Sequence, residues 1–286
     1  MSILVVVGLT LREGIRRRLM LALFGLSLVA VVITAWGYSQ LSHLPPTSSG
    51  PVSTDEIHII TSLLLILVMF MFSFVLALSA VFAAAPSVAG ELESGEALVM
   101  LARPVSRASV LLGKWLGLAI VIVTYAAVAS LLEFGVAYAA TGYWPPHPIQ
   151  AVAYLAGEGL VLLSLALLLS TRMSAVAAGI VAMLLFGLAW LAGVVGGIGA
   201  AFGDATIGQA GTVGHLLLPT DGLWRGAIYA IEPTSVLIAG SAAGPRVAAF
   251  PFYAPGPPSF LYLAWCVAWV AGVVALAVFS FARRDV

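Results

Sequence analysis

A chain of 286 residues that is 62% apolar and 8% charged cannot bury its apolar surface in one water-soluble core, because soluble domains carry about 25% charged residues. The formal charge sums to zero, but the charges are segregated along the chain, and nothing in the balance calls for nucleic acid. Cys266 is the single cysteine, which excludes an internal disulfide.

Residues 1–18 read as an amphipathic helix. Leu4, Val7, Leu11 and Ile15 recur at helical spacing, while Thr10, Arg12, Glu13, Arg16 and Arg17 fall largely on the other side. A basic helix of this kind lies at a membrane surface with its arginines toward anionic head groups. A signal peptide fits less well, since the following apolar run is too long for an h-region and no small-x-small cleavage site follows.

Six apolar runs come next, at 19–38, 58–85, 115–140, 149–170, 174–201 and 259–282. Each meets or exceeds the ~17–25 residues that a crossing helix needs. The expected fold is therefore an all-α integral membrane protein, with residues 19–286 forming one six-helix domain. With the N-terminus inside, ten of the twelve Lys and Arg residues fall on the inner side and two, Arg225 and Arg246, on the outer. That asymmetry places both termini in the cytoplasm. Thirteen of fifteen prolines fall in the outer connections, and Pro86 and Pro104 bracket the first inner loop. The longest outer connection, 202–258, carries short apolar runs that read as small helices lying on or dipping into the outer leaflet.

The inner loop at 86–114 is the densest block of charge. Glu91, Glu93, Glu96, Arg103, Arg107 and Lys114 are six of the chain's 24 charged residues. Ser106 is placed to cap an extended foot of the third span. Ser109 to Lys114 is not a phosphate loop, because Ala108 replaces the required first glycine and Trp115 the magnesium-binding hydroxyl.

Glu133 and Glu158 lie inside the third and fourth spans at similar depth. Ionisable groups there face a bundle interior or a watery cavity, so each marks either a translocation path or a carboxyl that staples two helices. The fifth span carries Ala189, Gly193 and Gly197, and Ala192, Gly196 and Ala200, at four-residue spacing. Such stripes allow close helix approach, within one subunit or between two. His43, His58, His147 and His215 map to the outer side; His147 and His215 are weak metal candidates without ligand spacing.

Gly90-Glu-Leu-Glu-Ser-Gly-Glu-Ala-Leu, Leu101-Ala-Arg-Pro-Val-Ser-Arg and Leu112-Gly-Lys resemble the first cytoplasmic loop of type-2 ABC exporter permeases. Leu217-Leu-Pro-Thr-Asp-Gly-Leu-Trp-Arg225 is similar to a segment of the branch that includes the permease of the nitrous oxide reductase copper-site maturation transporter. The resemblance implies a homodimer served by two copies of a separate ATPase, with ATP and magnesium in that partner and no cofactor in this chain. It also implies a coupling helix near 90–100 that presents Glu91, Glu93 and Glu96, flanked by Arg103 and Arg107. A second contact would form around Arg172, and outer re-entrant helices would lie within 202–258. It further implies a multi-pass protein of a prokaryotic inner membrane. Two other function classes stay open at this point: a proton-linked transporter using Glu133 and Glu158, and an outer-face factor handling metal through its histidines.

Overall fold

The computed structural model describes residues 3–16, 18–41, 43, 52–90 and 106–283. Helices α1 (Ile3–Arg16) and α2 (Arg18–Leu41) are followed by α3 (Thr54–Ala85), which runs on through a wider π turn at Pro86–Gly90. Then come α4 (Arg107–Thr141), α5 (Pro148–Ser170), α6 (Ala175–Phe202), α7 (Ala205–Leu217), α8 (Thr220–Ile231), α9 (Thr234–Ala243), a 3₁₀ turn (Pro245–Ala249) and α10 (Phe260–Ala282). No strand occurs among the described residues. Six of these helices are long and apolar enough to cross a membrane, as the composition requires.

Two spans are longer than the hydropathy alone indicates, and the cause is capping. Ser53 and Glu56 form a reciprocal box, Glu56 N–H donating to Ser53 Oγ at 3.2 Å and Ser53 N–H to Glu56 Oε2 at 2.8 Å. This satisfies the first free amides and starts α3 four residues before His58. Ser106 caps α4 as expected, accepting from Ser109 N–H at 3.2 Å, so that helix begins at Arg107 rather than near Trp115.

The near side of the bundle holds α1, the π turn and the α5–α6 turn; the far side holds the Gly142–His147 turn. α3, α4 and α5 form the buried centre, with Leu65, Ile66, Met69, Leu111, Leu162, Leu163 and Leu167 almost fully enclosed. α2 stands outside and is stapled to α4 by polar contacts: Ser27 to Tyr125 at 2.6 Å, and both Thr34 and Tyr38 to Glu133 at 3.0 Å.

α1 does more than lie at a surface. Its Val6 and Thr10 press onto Gly113 and Gly117 of α4, where an added Cβ would fall 2.6 Å from Val6 Cβ and 2.8 Å from Thr10 Cβ. The packed face is thus Val6 and Thr10, so Thr10 is buried rather than on the polar side, while Leu4 of the expected apolar stripe points outward.

The glycine stripe of α6 is consumed inside the chain. A Cβ on Gly199 would meet Gly208 N at 2.4 Å, one on Gly196 would meet Gly211 Cα at 2.5 Å, and one on Gly214 would meet Ala192 Cβ at 2.7 Å. These pairings run in opposite sequence order, so α7 descends along α6 toward the middle of the bundle. α8 then climbs beside α5: Leu223 lies on Gly157, Gly226 on Tyr154, and His147 N–H donates to Ala230 O at 3.1 Å. Together α7 and α8 form a hairpin whose tip, at Leu218 and Pro219, reaches about 15 Å below the far end of α5.

Candidate functional site

Among the described residues, three of the polar regions in an otherwise apolar bundle tie helices together. On the near side, Lys114 is only 5% exposed, two turns inside α4 rather than at the end of a span. Its ammonium donates to the carbonyl oxygen of Ser87 in the π turn. The cation thereby meets the carbonyl end of a helix, where the macrodipole favours positive charge. Arg107 donates to Ala282 O at 3.3 Å, and Arg172 to Ser280 Oγ at 2.8 Å. Both arginines therefore brace the last turn of α10, Arg107 half-buried and Arg172 exposed. Glu91, Glu93, Glu96 and Arg103 lie outside the described residues.

The second region is the pair of intramembrane carboxylates. Glu133 is fully buried and accepts from Thr34 and Tyr38 of α2 at 3.0 Å each. Glu158, 2% exposed, accepts from Ser73 of α3 at 2.9 Å, and its Oε2 has no hydrogen-bond partner. The two acids sit at comparable depth but on different helix interfaces. Glu133 fastens α2 to α4; Glu158 joins α5 to α3. No hydrogen bond of the structure runs from one to the other.

The third region is the hairpin tip. Asp221, 3% exposed, accepts from Arg225 Nε at 3.0 Å and pairs with His215 Nε2 at 2.6 Å. Arg225 also donates to Gly193 O at 2.8 Å. Asp221 lies directly on the α6 backbone, since a Cβ on Gly193 would fall 1.9 Å from its Oδ2. One buried carboxylate thus locks α6, α7 and α8 together. Beside it, Thr220 Oγ1 and Trp224 Nε1 are buried without partners. The ring of Trp224 packs on Phe70 at 5.3 Å, which also touches Trp190 at 5.5 Å and Phe252 at 5.2 Å.

The histidines do not converge. His215 is tied to Asp221, His147 stacks on Tyr229 at 6.1 Å, and His58 faces Tyr143. Among the described residues no three His, Cys, Asp or Glu side chains come together as a metal site.

A family model described as "ABC-2 family transporter protein" matches residues 4–286. The chain belongs to that family. It is a multi-pass membrane protein and the permease component of an ABC transporter, a class that associates with an ABC ATPase. No curated protein matches the chain.

Within the permease, the near-side braces at Lys114, Arg107 and Arg172 join the connections that flank 91–105 and 171–174 to the spans. Arg107 and Arg172 stand out in the sequence, whereas Lys114 reads there as the residue at which a span ends. Asp221, the carboxylate that holds α6, α7 and α8 together, does not stand out in the sequence. The signal was present: Asp221 and Arg225 stand at i,i+4 spacing in a segment with few other charges, beside a glycine at position 193.

Proposed function

We propose that this permease is the membrane half of an ATP-driven exporter. Two copies form a homodimer, and each is served by one copy of an ABC ATPase that binds ATP and magnesium. The whole-chain family match carries this reading. The ATPase docks on the near side, through a coupling helix around 90–100 with Glu91, Glu93 and Glu96, and through the short turn at Arg172. Arg103 and Arg107 flank the first contact. Both termini lie in the cytoplasm of a prokaryotic cell and the spans cross its inner membrane, in keeping with the ten-to-two distribution of Lys and Arg. The segment Leu217–Arg225 supports placement near the copper-site maturation branch.

Rigid coupling is the mechanism. α1 is interlocked with the foot of α4, and Lys114 binds that foot to the end of α3, so a push on the loop between them moves whole helices rather than bending a linker. Hydrolysis of ATP in the partner is thereby converted into rearrangement of the bundles on either side of a path. Glu133 and Glu158 serve as helix staples at mid-depth, where the path passes.

The test is ATP hydrolysis in proteoliposomes that contain both subunits. Hydrolysis that exceeds that of the ATPase alone, and that persists when a protonophore collapses the proton gradient, is the expected result. Equal rates with and without the permease would overturn the proposal.

A further inference from the structure

Polar side chains inside this bundle follow a pattern. Hydroxyls donate to the carbonyl one turn back, as Thr10 does to Val6 O at 2.9 Å, Thr34 to Ala30 O at 3.0 Å and Thr61 to Ile57 O at 2.7 Å. The indoles of Trp115, Trp265 and Trp269 donate to Ser164 Oγ, Leu216 O and Leu217 O at 2.9, 3.2 and 3.0 Å. Glu133 engages both of its carboxylate oxygens, one with Tyr38 and one with Thr34. Among the described residues, Glu158 Oε2, Thr220 Oγ1 and Trp224 Nε1 break the pattern: they are buried and have no partner within the protein. Their residues are 2%, 0% and 1% exposed. Thr220 opens α8 directly after Pro219, so no helical turn stands behind it to accept its hydroxyl. A buried polar atom left unpaired is costly, and native structures satisfy it with protein or ordered water.

The three atoms converge on one junction. α8 runs antiparallel to α5: a Cβ on Gly157 would sit 3.5 Å from Leu223, and one on Gly226 would sit 3.0 Å from Tyr154. Both contacts obey the same register, which sets Glu158 level with Gly222. Thr220 and Trp224 therefore lie above and below that level, each two residues or about 3 Å along the axis. Four residues apart, they share one face of α8. That face is turned to α3, since the Trp224 ring packs on Phe70 with centroids 5.3 Å apart. Phe70 and Ser73 stand three apart on the same side of α3, and Ser73 donates to Glu158 Oε1 at 2.9 Å. The carboxyl of Glu158 and the Thr220–Trp224 face thus meet where α3, α5 and α8 come together.

Chemistry selects the occupant. An indole N–H only donates, so a cation is repelled by Trp224. An anion is repelled by the oxygen of Glu158, and an apolar group would leave all three atoms unpaired. Water both donates and accepts, and an internal water makes about three hydrogen bonds, which is the number on offer. We propose that Glu158 Oε2, Thr220 Oγ1 and Trp224 Nε1 bind one internal water that fastens the hairpin tip to α3 and α5. The water accepts from Trp224 Nε1–H, donates to Glu158 Oε2 and completes its shell with the Thr220 hydroxyl. Glu158 then ties the hairpin to the core besides joining α5 to α3. This tie is distinct from the Asp221 lock, which holds the hairpin to α6 through Arg225 and Gly193. It depends on neither the direction of transport nor the ATPase.

Solid-state NMR of the full chain in lipid bilayers tests this, with magnetisation passed from water protons to nitrogen-labelled indoles. Carbonyl-labelled Leu assigns Trp224 without any substitution, because Leu223-Trp224 is the one Leu-Trp step in the chain. Labelled Lys assigns Trp115 in the same way, through Lys114-Trp115. Transfer is expected at the Trp224 indole and absent at Trp115, whose N–H is given to Ser164. Glu158→Leu should abolish the Trp224 transfer, and Glu158→Gln, which keeps a polar group in place, should retain it. No transfer to Trp224 in the unsubstituted chain, the result of a direct bond between Trp224 and Glu158, would overturn the proposal. So would transfer that Glu158→Leu leaves undiminished. Should Glu158→Leu fail to fold, the comparison of the two indoles in the unsubstituted chain decides alone.

Discussion

The ammonium of Lys114 donates to the backbone carbonyl of Ser87, joining the foot of α4 to the π turn that ends α3. Those two elements are the arms from which the 91–105 connection hangs. A charged hydrogen bond buried at 5% exposure contributes about 1.5–3 kcal/mol, enough to fix the spacing of the arms. Lys114→Met is expected to lower thermal stability by that amount and to leave ATP hydrolysis in proteoliposomes no longer responsive to the permease. Differential scanning fluorimetry and the hydrolysis assay check the two effects separately.

The docking of α1 depends on the absence of side chains at Gly113 and Gly117. Gly113→Leu places atoms where Val6 already sits, its Cβ alone 2.6 Å from Val6 Cβ. It should release α1, seen as faster hydrogen exchange across residues 3–13. Gly135→Leu is the control on the same helix, because nothing lies within 4 Å of an added Cβ there. Equal exchange in the two variants would mean that α1 is held by something other than this interlock.

At the hairpin tip, Asp221→Ala leaves the Arg225 guanidinium without its carboxylate while its side chain is only 19% exposed. Removing one partner of a buried pair costs about 3–5 kcal/mol. Gly193→Ala alone should also be strongly destabilising, since its Cβ would fall 1.9 Å from Asp221 Oδ2. In an Asp221→Ala background the same substitution should cost far less. That non-additivity, read from thermal unfolding of the two single variants and the double, is the signature of direct contact.

How much of this was legible beforehand depends on the range of the interaction. The spans and the cap at Ser106 rest on local composition, and the structure agrees with them; Glu133 and Glu158 stand out in the sequence as acids at depth, but their partners Thr34, Tyr38 and Ser73 lie on other helices. The hairpin was visible only as short apolar runs with a resemblance behind them. Its descent along α6 is set by Gly208, Gly211 and Gly214 meeting Gly199, Gly196 and Ala192, a pairing between segments that no periodicity within either one reveals. Asp221 went unread for the same reason. Its partners His215 and Arg225 are close in sequence, but the surface that makes it a lock is Gly193, on another helix. Lys114 was misplaced because hydropathy ends a span at a charge, whereas the carbonyl of Ser87, distant in sequence, pays for burying it.

Glu232 gives the permease a pH dependence on the far side. It is 2% exposed at the end of α8 and accepts from Ala254 N–H at 3.4 Å. Burial pushes its carboxyl up from 4.5 to about 8, partly offset by the Ala254 hydrogen bond. Between those values the folded state keeps a proton that the unfolded chain has lost, so stability falls as pH rises from about 4.5 to about 8 and is level outside that window. Thermal unfolding at pH 5 and pH 8 should show the decline, and Glu232→Gln should flatten this contribution. An undiminished decline in that variant would assign the dependence to another group.

In the proposed function an ABC ATPase docks on the near-side loop of this permease. The most direct measurement is the mass-spectrometric composition of the complex purified from native membranes through a tag on this chain. The predicted result is an ABC ATPase in equal molar amount, lost when Glu91 and Glu93 are both replaced by Lys. Full recovery of the permease without any ATPase, or an ATPase retained undiminished by the charge reversal, would contradict it.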